Sequence, residues 1–192
     1  MWEAMQIVRI GQTMDIKYLP RICCFFACLL LGAQSIHASP VVERLGHYSN
    51  QKTSLISGDP HIEGYSLNLY RQGKIVFGRF CWATGVEVPC VPIQNAVINS
   101  QRMLAFQAQI SIGTEISKET GPQGRPAYRL ITFRGKVANK LISGVVSKKN
   151  AYTPLTLAET ERVKLLRVPN EENPISSYQE WASDPLNKPV VW

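Results

Sequence analysis

Between Tyr65 and Val168 the chain repeatedly alternates apolar and polar residues with a period of two. The cleanest stretch sets Leu104, Phe106, Ala108, Ile110 and Ile112 against Ala105, Gln107, Gln109 and Ser111, which predicts a strand with one dry and one wet face. Tyr65, Leu67 and Leu69 alternate in the same way with Ser66, Asn68 and Tyr70. Arg71-Gln72-Gly73-Lys74 then turns the chain into Ile75–Trp82, a hairpin signal. A short strand is expected at Ala96–Ile98, further strands at Arg129–Val137 and Leu141–Lys148, and a last one at Arg162–Val168. The cluster Thr120–Pro126 separates two of them.

The gaps between these segments are too short for the crossovers that a parallel sheet requires, so the pattern predicts an all-β antiparallel meander. Gly78, Gly135 and Gly144 interrupt strands instead of turns, and interior glycines mark bulges or tight coiling. The expected architecture is therefore a small, strongly coiled up-and-down barrel or barrel-like sheet over residues 62–168, with a two-sheet sandwich as the alternative. Residues 39–61 are expected to form an N-terminal loop segment. Residues 169–192 read as a Pro-rich tail with a short helix at 176–182, Ser176 near its cap and Tyr178 and Trp181 turned toward the barrel.

Before the meander the pattern changes. Ile22–Ala33 is a run of twelve largely apolar residues behind the basic stretch around Lys17 and Arg21, with small Ala38 ahead of Pro40. A membrane-spanning helix needs roughly 20 apolar residues. The run therefore fits a cleaved secretory signal peptide better than an anchor or a buried helix, and Met14 opens it so directly that residues 1–13 read as an over-extended gene start. The mature protein is expected in the periplasm or secreted, and not as an integral membrane protein. A transmembrane barrel is disfavoured because Pro185 and Pro189 break the last segment and Arg79, Arg134 and Lys136 would all have to avoid lipid.

Composition sharpens this picture once residues 1–38 are set aside. Of 21 basic and 14 acidic residues, Arg9, Lys17, Arg21, Glu3 and Asp15 leave with the leader, so the mature chain keeps 18 against 12. Three of five cysteines leave too, and Cys81 and Cys90 remain as an even pair in an oxidising compartment, expected to be bonded. From Arg102 to Lys149 nine basic residues face only Glu115 and Glu119. Arg129, Arg134, Lys136, Lys140 and Lys148 are the candidate binding residues of this stretch. If Arg134 and Lys136 share the outer face, a basic stripe crosses one hairpin. Outside the cytoplasm nucleic acid is not the expected partner, which leaves an anionic envelope component such as lipid headgroups, lipopolysaccharide, wall polymer or an acidic protein.

Two further readings concern the aromatic residues. Tyr65, Phe77, Phe80, Trp82, Phe106 and Phe133 could line a cavity for a small apolar ligand or simply fill the barrel. Trp82, inside the segment closed by Cys81 and Cys90, is the candidate contact of a periplasmic inhibitor or immunity-type protein. Catalytic signals are sparse. His47 and His61 precede the first firm strand, Asp59-Pro60-His61-Ile62-Glu63 matches no zinc spacing, and no nucleophile elbow, phosphate loop or dinucleotide fingerprint is present. No enzyme, cofactor or metal is expected. The run Gly64–Lys74 with Phe133-Arg134-Gly135-Lys136 resembles the generic meander of small exported bacterial proteins, including calycin-like ligand binders and periplasmic inhibitors. That likeness implies an architecture and no site residues.

Overall fold

The computed structural model describes residues 40–153, 156–169 and 174–188. The expected gene start and signal peptide (1–38) and the final tail residues 189–192 lie outside the described residues.

Among the described residues nine antiparallel strands follow one another: β1 (Val42–Ser49), β2 (Lys52–Ile56), β3 (Asp59–Gln72), β4 (Ile75–Gly85), β5 (Cys90–Ile98), β6 (Met103–Glu115), β7 (Arg125–Val137), β8 (Leu141–Asn150) and β9 (Glu159–Val168). From β3 to β9 each strand pairs with the next, and β1 pairs with both β9 and β3. This closes an eight-stranded up-and-down barrel, with β2 as a ninth strand outside the ring. Closure leaves the barrel itself no free sheet edge.

Residues 39–61, expected as a loop, instead supply β1, β2 and the start of β3. Two local features hide them from a period-two reading. A register shift between Arg44 and Gly46 breaks the alternation of β1. All five residues of β2 are exposed, so they have no dry face to alternate with. β1 and β2 lie on the same edge of the long β3, and at the gap between them the Asn50 side chain accepts the Tyr65 amide at 2.8 Å.

The interior is apolar and packed. Leu67, Leu69, Phe80, Leu104, Ile110, Phe133, Ile142, Val146 and Leu165 are fully buried. An aromatic run crosses it, with ring centres 5.8 Å apart from Tyr65 to Phe80, 5.5 Å from Phe80 to Phe106 and 5.2 Å from Phe106 to Phe133. The interior glycines permit this coiling. A Cβ on Gly78 would stand 1.8 Å from the Asn68 carbonyl oxygen, and Gly135 and Gly144 face each other across β7 and β8 beneath the Phe133 ring. Any larger residue at those positions would push strand or ring away.

Phe77 and Tyr70 are buried on the outside of the barrel, beneath helix α1 (Tyr178–Ser183). Trp181, tilted, and Tyr178, edge-on, pack against Phe77 with ring centres at 5.0 and 5.2 Å, turned toward the barrel as expected from the sequence, although the cap is Ser177 and not Ser176. A 3-10 turn follows at Pro185–Asn187. Buried Asn187 pins it, accepting from Arg79 at 2.7 Å and donating to the Trp181 carbonyl at 2.9 Å.

Candidate functional site

The period of two decides which basic side chains reach solvent. On β7, Ile131, Phe133, Gly135 and Val137 point inward, so Arg134 and Lys136 point outward and are exposed. On β9, buried Val163 and Leu165 alternate with exposed Arg162 and Lys164. Pairing aligns these residues across β8 into two rows, Arg134–Val145–Arg162 and Lys136–Ser143–Lys164. With strands about 4.8 Å apart and alternate residues about 7 Å apart, four cations mark the corners of a rectangle of roughly 10 by 7 Å. None of the four is in an ion pair among the described residues, and no carboxylate lies on the outer faces of β7, β8 or β9 there. Exposed Val145, Leu166 and Met103 are interleaved with them. Along the same face Gln107, Gln109, Leu130, Thr132 and Lys149 line a cleft of about 480 Å³.

Two of the candidate binding residues, Lys148 and Arg129, do not lie on this outer face. Lys148 shares strand parity with Ile142 and Val146 and points into the barrel end, its side chain only 9% exposed. Its ammonium is 3.1 Å from Glu159, 3.6 Å from Glu161 and 4.9 Å from the centre of the Trp82 ring. Tyr65 donates to Glu161 at 2.6 Å. Burial, and then the hydrogen bond to Glu161, push the Tyr65 hydroxyl well above the usual tyrosine range, so it stays protonated. Arg129 lies in register with Ile110 and Asn150, on the inner side of the same end. Lys140 is exposed in the β7–β8 turn, where its carbonyl accepts the Arg167 amide at 2.8 Å.

Cys81 and Cys90 are bonded, as expected, and they are register partners on β4 and β5. The closed segment is less of a loop than the spacing suggests. β4 continues to Gly85, and the Trp82 amide donates to the Pro89 carbonyl at 3.0 Å. Trp82 therefore does not project from a loop. Its ring is half-buried at the barrel end, 6.3 Å from the Tyr65 ring, while Val86 is the exposed apolar residue at the tip. The interior offered as a cavity for a small apolar ligand is occupied by the aromatic run. His61 and Glu63 approach to 3.3 Å, but among the described residues no three His, Cys, Asp or Glu side chains gather as metal ligands would.

Arg162 and Lys164 were missed because the basic stretch was bounded at Lys149 in sequence. Their parity against Val163 and Leu165 was the available signal; adjacency of β9 to β8 supplies the rest. Comparison with known protein families, curated proteins and solved structures finds no match to the chain.

Proposed function

We propose that the protein is an exported, non-enzymatic binding module that holds an anionic component of the cell envelope against the outer face of β7–β9. The observation that carries this reading is the pair of cationic rows, Arg134 with Arg162 and Lys136 with Lys164, facing solvent without a carboxylate among them. A solvated face gains nothing from keeping four like charges together, whereas an anionic surface rewards it. The interleaved Val145, Leu166 and Met103 favour a headgroup layer, where apolar side chains also find contact. Outward cations in mid-strand and an apolar interior are the reverse of a barrel that faces lipid. The signal-like Ile22–Ala33 run and the Cys81–Cys90 bond support export.

Co-sedimentation with vesicles tests the reading. The protein should bind vesicles rich in phosphatidylglycerol, ignore zwitterionic ones, and release as salt shortens the Debye length to below about 10 Å. Each basic residue near an anionic surface contributes about 1 kcal/mol, so Arg134→Gln, Lys136→Gln, Arg162→Gln and Lys164→Gln together should weaken binding by roughly two to three orders of magnitude. Exposed charges leave stability nearly unchanged, within about 0.5 kcal/mol each. Equal binding by this variant would remove the outer face from the function. Capture of a stoichiometric envelope protein through the β4–β5 hairpin would favour inhibition instead.

A further inference from the structure

We propose that the barrel end opposite Lys148 is a binding site for a phosphate-type dianion, free or as a monoester, held between Arg102 and Arg167. This site is independent of the outer-face reading and uses none of its four cations.

A cavity of about 550 Å³ opens at this end. Its floor is apolar: Leu45 and Ile98 pack on the core, and the Tyr48 ring is 1% exposed. Its walls carry Arg44, Arg71, Arg102 and Arg167 beside one carboxylate, Glu43. Arg71 is already matched by Glu43, which accepts from both Nε and Nη2 of the guanidinium. Arg102 and Arg167 are not matched. Arg102 donates to the Asn139 side-chain oxygen at 3.0 Å and Arg167 to the Asn139 carbonyl at 3.3 Å, and neither is in an ion pair among the described residues. One residue of the β7–β8 turn thus holds two guanidiniums from two other parts of the chain side by side.

The backbone supplies a second, independent observation. Arg102 has φ of 62° at the end of the β5–β6 turn, a left-handed position where glycine is the usual and less costly residue. The turn is built to hold it there. The Asn99 side chain accepts the Gln101 and Met103 amides at 3.0 and 2.9 Å, and the Arg102 amide donates to the Asn99 carbonyl at 2.9 Å. Backbone cost is accepted at a position that brings a guanidinium to the cavity rim, and such outliers point to function. Arg102 and Arg167 together offer two positive charges, which suits a ligand carrying two negative charges. Each guanidinium keeps further N–H donors in a planar fork that matches phosphate oxygens. Ser100 and Asn99 line the same cavity and add a hydroxyl and an amide.

The experiment is an amide-shift titration of the mature protein with inorganic phosphate at constant ionic strength, so that screening cannot mimic binding. Saturable shifts are expected at residues 99–102, 139 and 167. Arg102→Gly preserves the turn and should leave the melting temperature unchanged or higher while lowering phosphate affinity roughly tenfold or more, the loss expected for a hydrogen bond to a charged group. Arg167→Gln should lower it similarly. The outer-face quadruple variant should bind phosphate as the unmodified protein does, which separates this site from the vesicle result. Vesicles carrying a phosphomonoester headgroup distinguish the source: inhibition of their binding by free phosphate assigns the site to a headgroup, and phosphate shifts without such inhibition assign it to a soluble phosphate. Absence of saturable shifts, or equal phosphate affinity in Arg102→Gly, would overturn the proposal.

Discussion

Lys148 and Tyr65 show what closes the end of an aromatic-filled barrel. A buried ammonium costs several kcal/mol unless paired, and Lys148 meets that need with Glu159 and Glu161 while its charge lies over the Trp82 ring. Tyr65 completes the arrangement by donating to Glu161. Burial and Glu161 raise the Tyr65 pKa in the folded protein above the ordinary value near 10. The sign follows: stability from this group is complete below about pH 10 and is lost as pH rises further, because the unfolded chain ionises first. Alkaline unfolding should therefore steepen above about pH 10, and Tyr65→Phe should flatten that part of the profile. At neutral pH the same variant should cost about 1 kcal/mol, the worth of one part-exposed hydrogen bond to a charge. Denaturant midpoints across pH check both expectations. An unchanged alkaline slope would mean that Tyr65 is not the group that holds its proton.

Strands carry the next level. β4 and β5 leave register between Val76 and Gly78, and β5 and β6 pair only at Val97–Ala105 and Ile98–Leu104. The Cys81–Cys90 bond lies at the far end of β5 from those two pairs, where it ties β5 to β4. Closing a segment of this length should contribute about 2 to 3 kcal/mol. Cys81→Ala with Cys90→Ala should accordingly lower the melting temperature by about 5 to 10 °C in a domain of this size. Calorimetry measures it, and a smaller fall would show that the β3–β4 ladder alone holds the hairpin. The same scale explains β2, which has no buried side and is held by main-chain pairing to β3 through Ser57 and Gly58, both with positive φ.

For the whole molecule, charge and compartment belong together. A disulfide-bonded barrel whose outer-face cations have no ion-pair partner among the described residues suits an oxidising space lined by anionic surfaces, and on the export reading proposed above the apolar Ile22–Ala33 run serves as the signal for reaching it. Intact mass of protein recovered from the envelope should correspond to a chain beginning at or near Ser39, several kilodaltons below the full 21.5 kDa. Recovery at full mass would defeat the export reading.

What the sequence determined by itself was whatever depends on neighbours along the chain. Alternation at Leu104–Ile112 and Arg129–Val137 announced strands, Gly78, Gly135 and Gly144 announced coiling, and Cys81 and Cys90, the even pair once residues 1–38 are set aside, announced their bond. Arg134 and Lys136 were legible as outward because they interleave with Phe133 and Gly135. Parity also placed Arg129 with Ile131, and Lys148 with Val146, on the inner side; counting charge along the chain without parity put them among the candidate binding residues. Tertiary structure alone decided the rest, because it concerns residues far apart in sequence. Closure of β1 on β9 brought Tyr48 beside Arg167, and adjacency of β7, β8 and β9 set Arg134 across from Arg162. Asn139 joined Arg102 to Arg167 across separations of 37 and 28 residues, a juxtaposition no local pattern encodes.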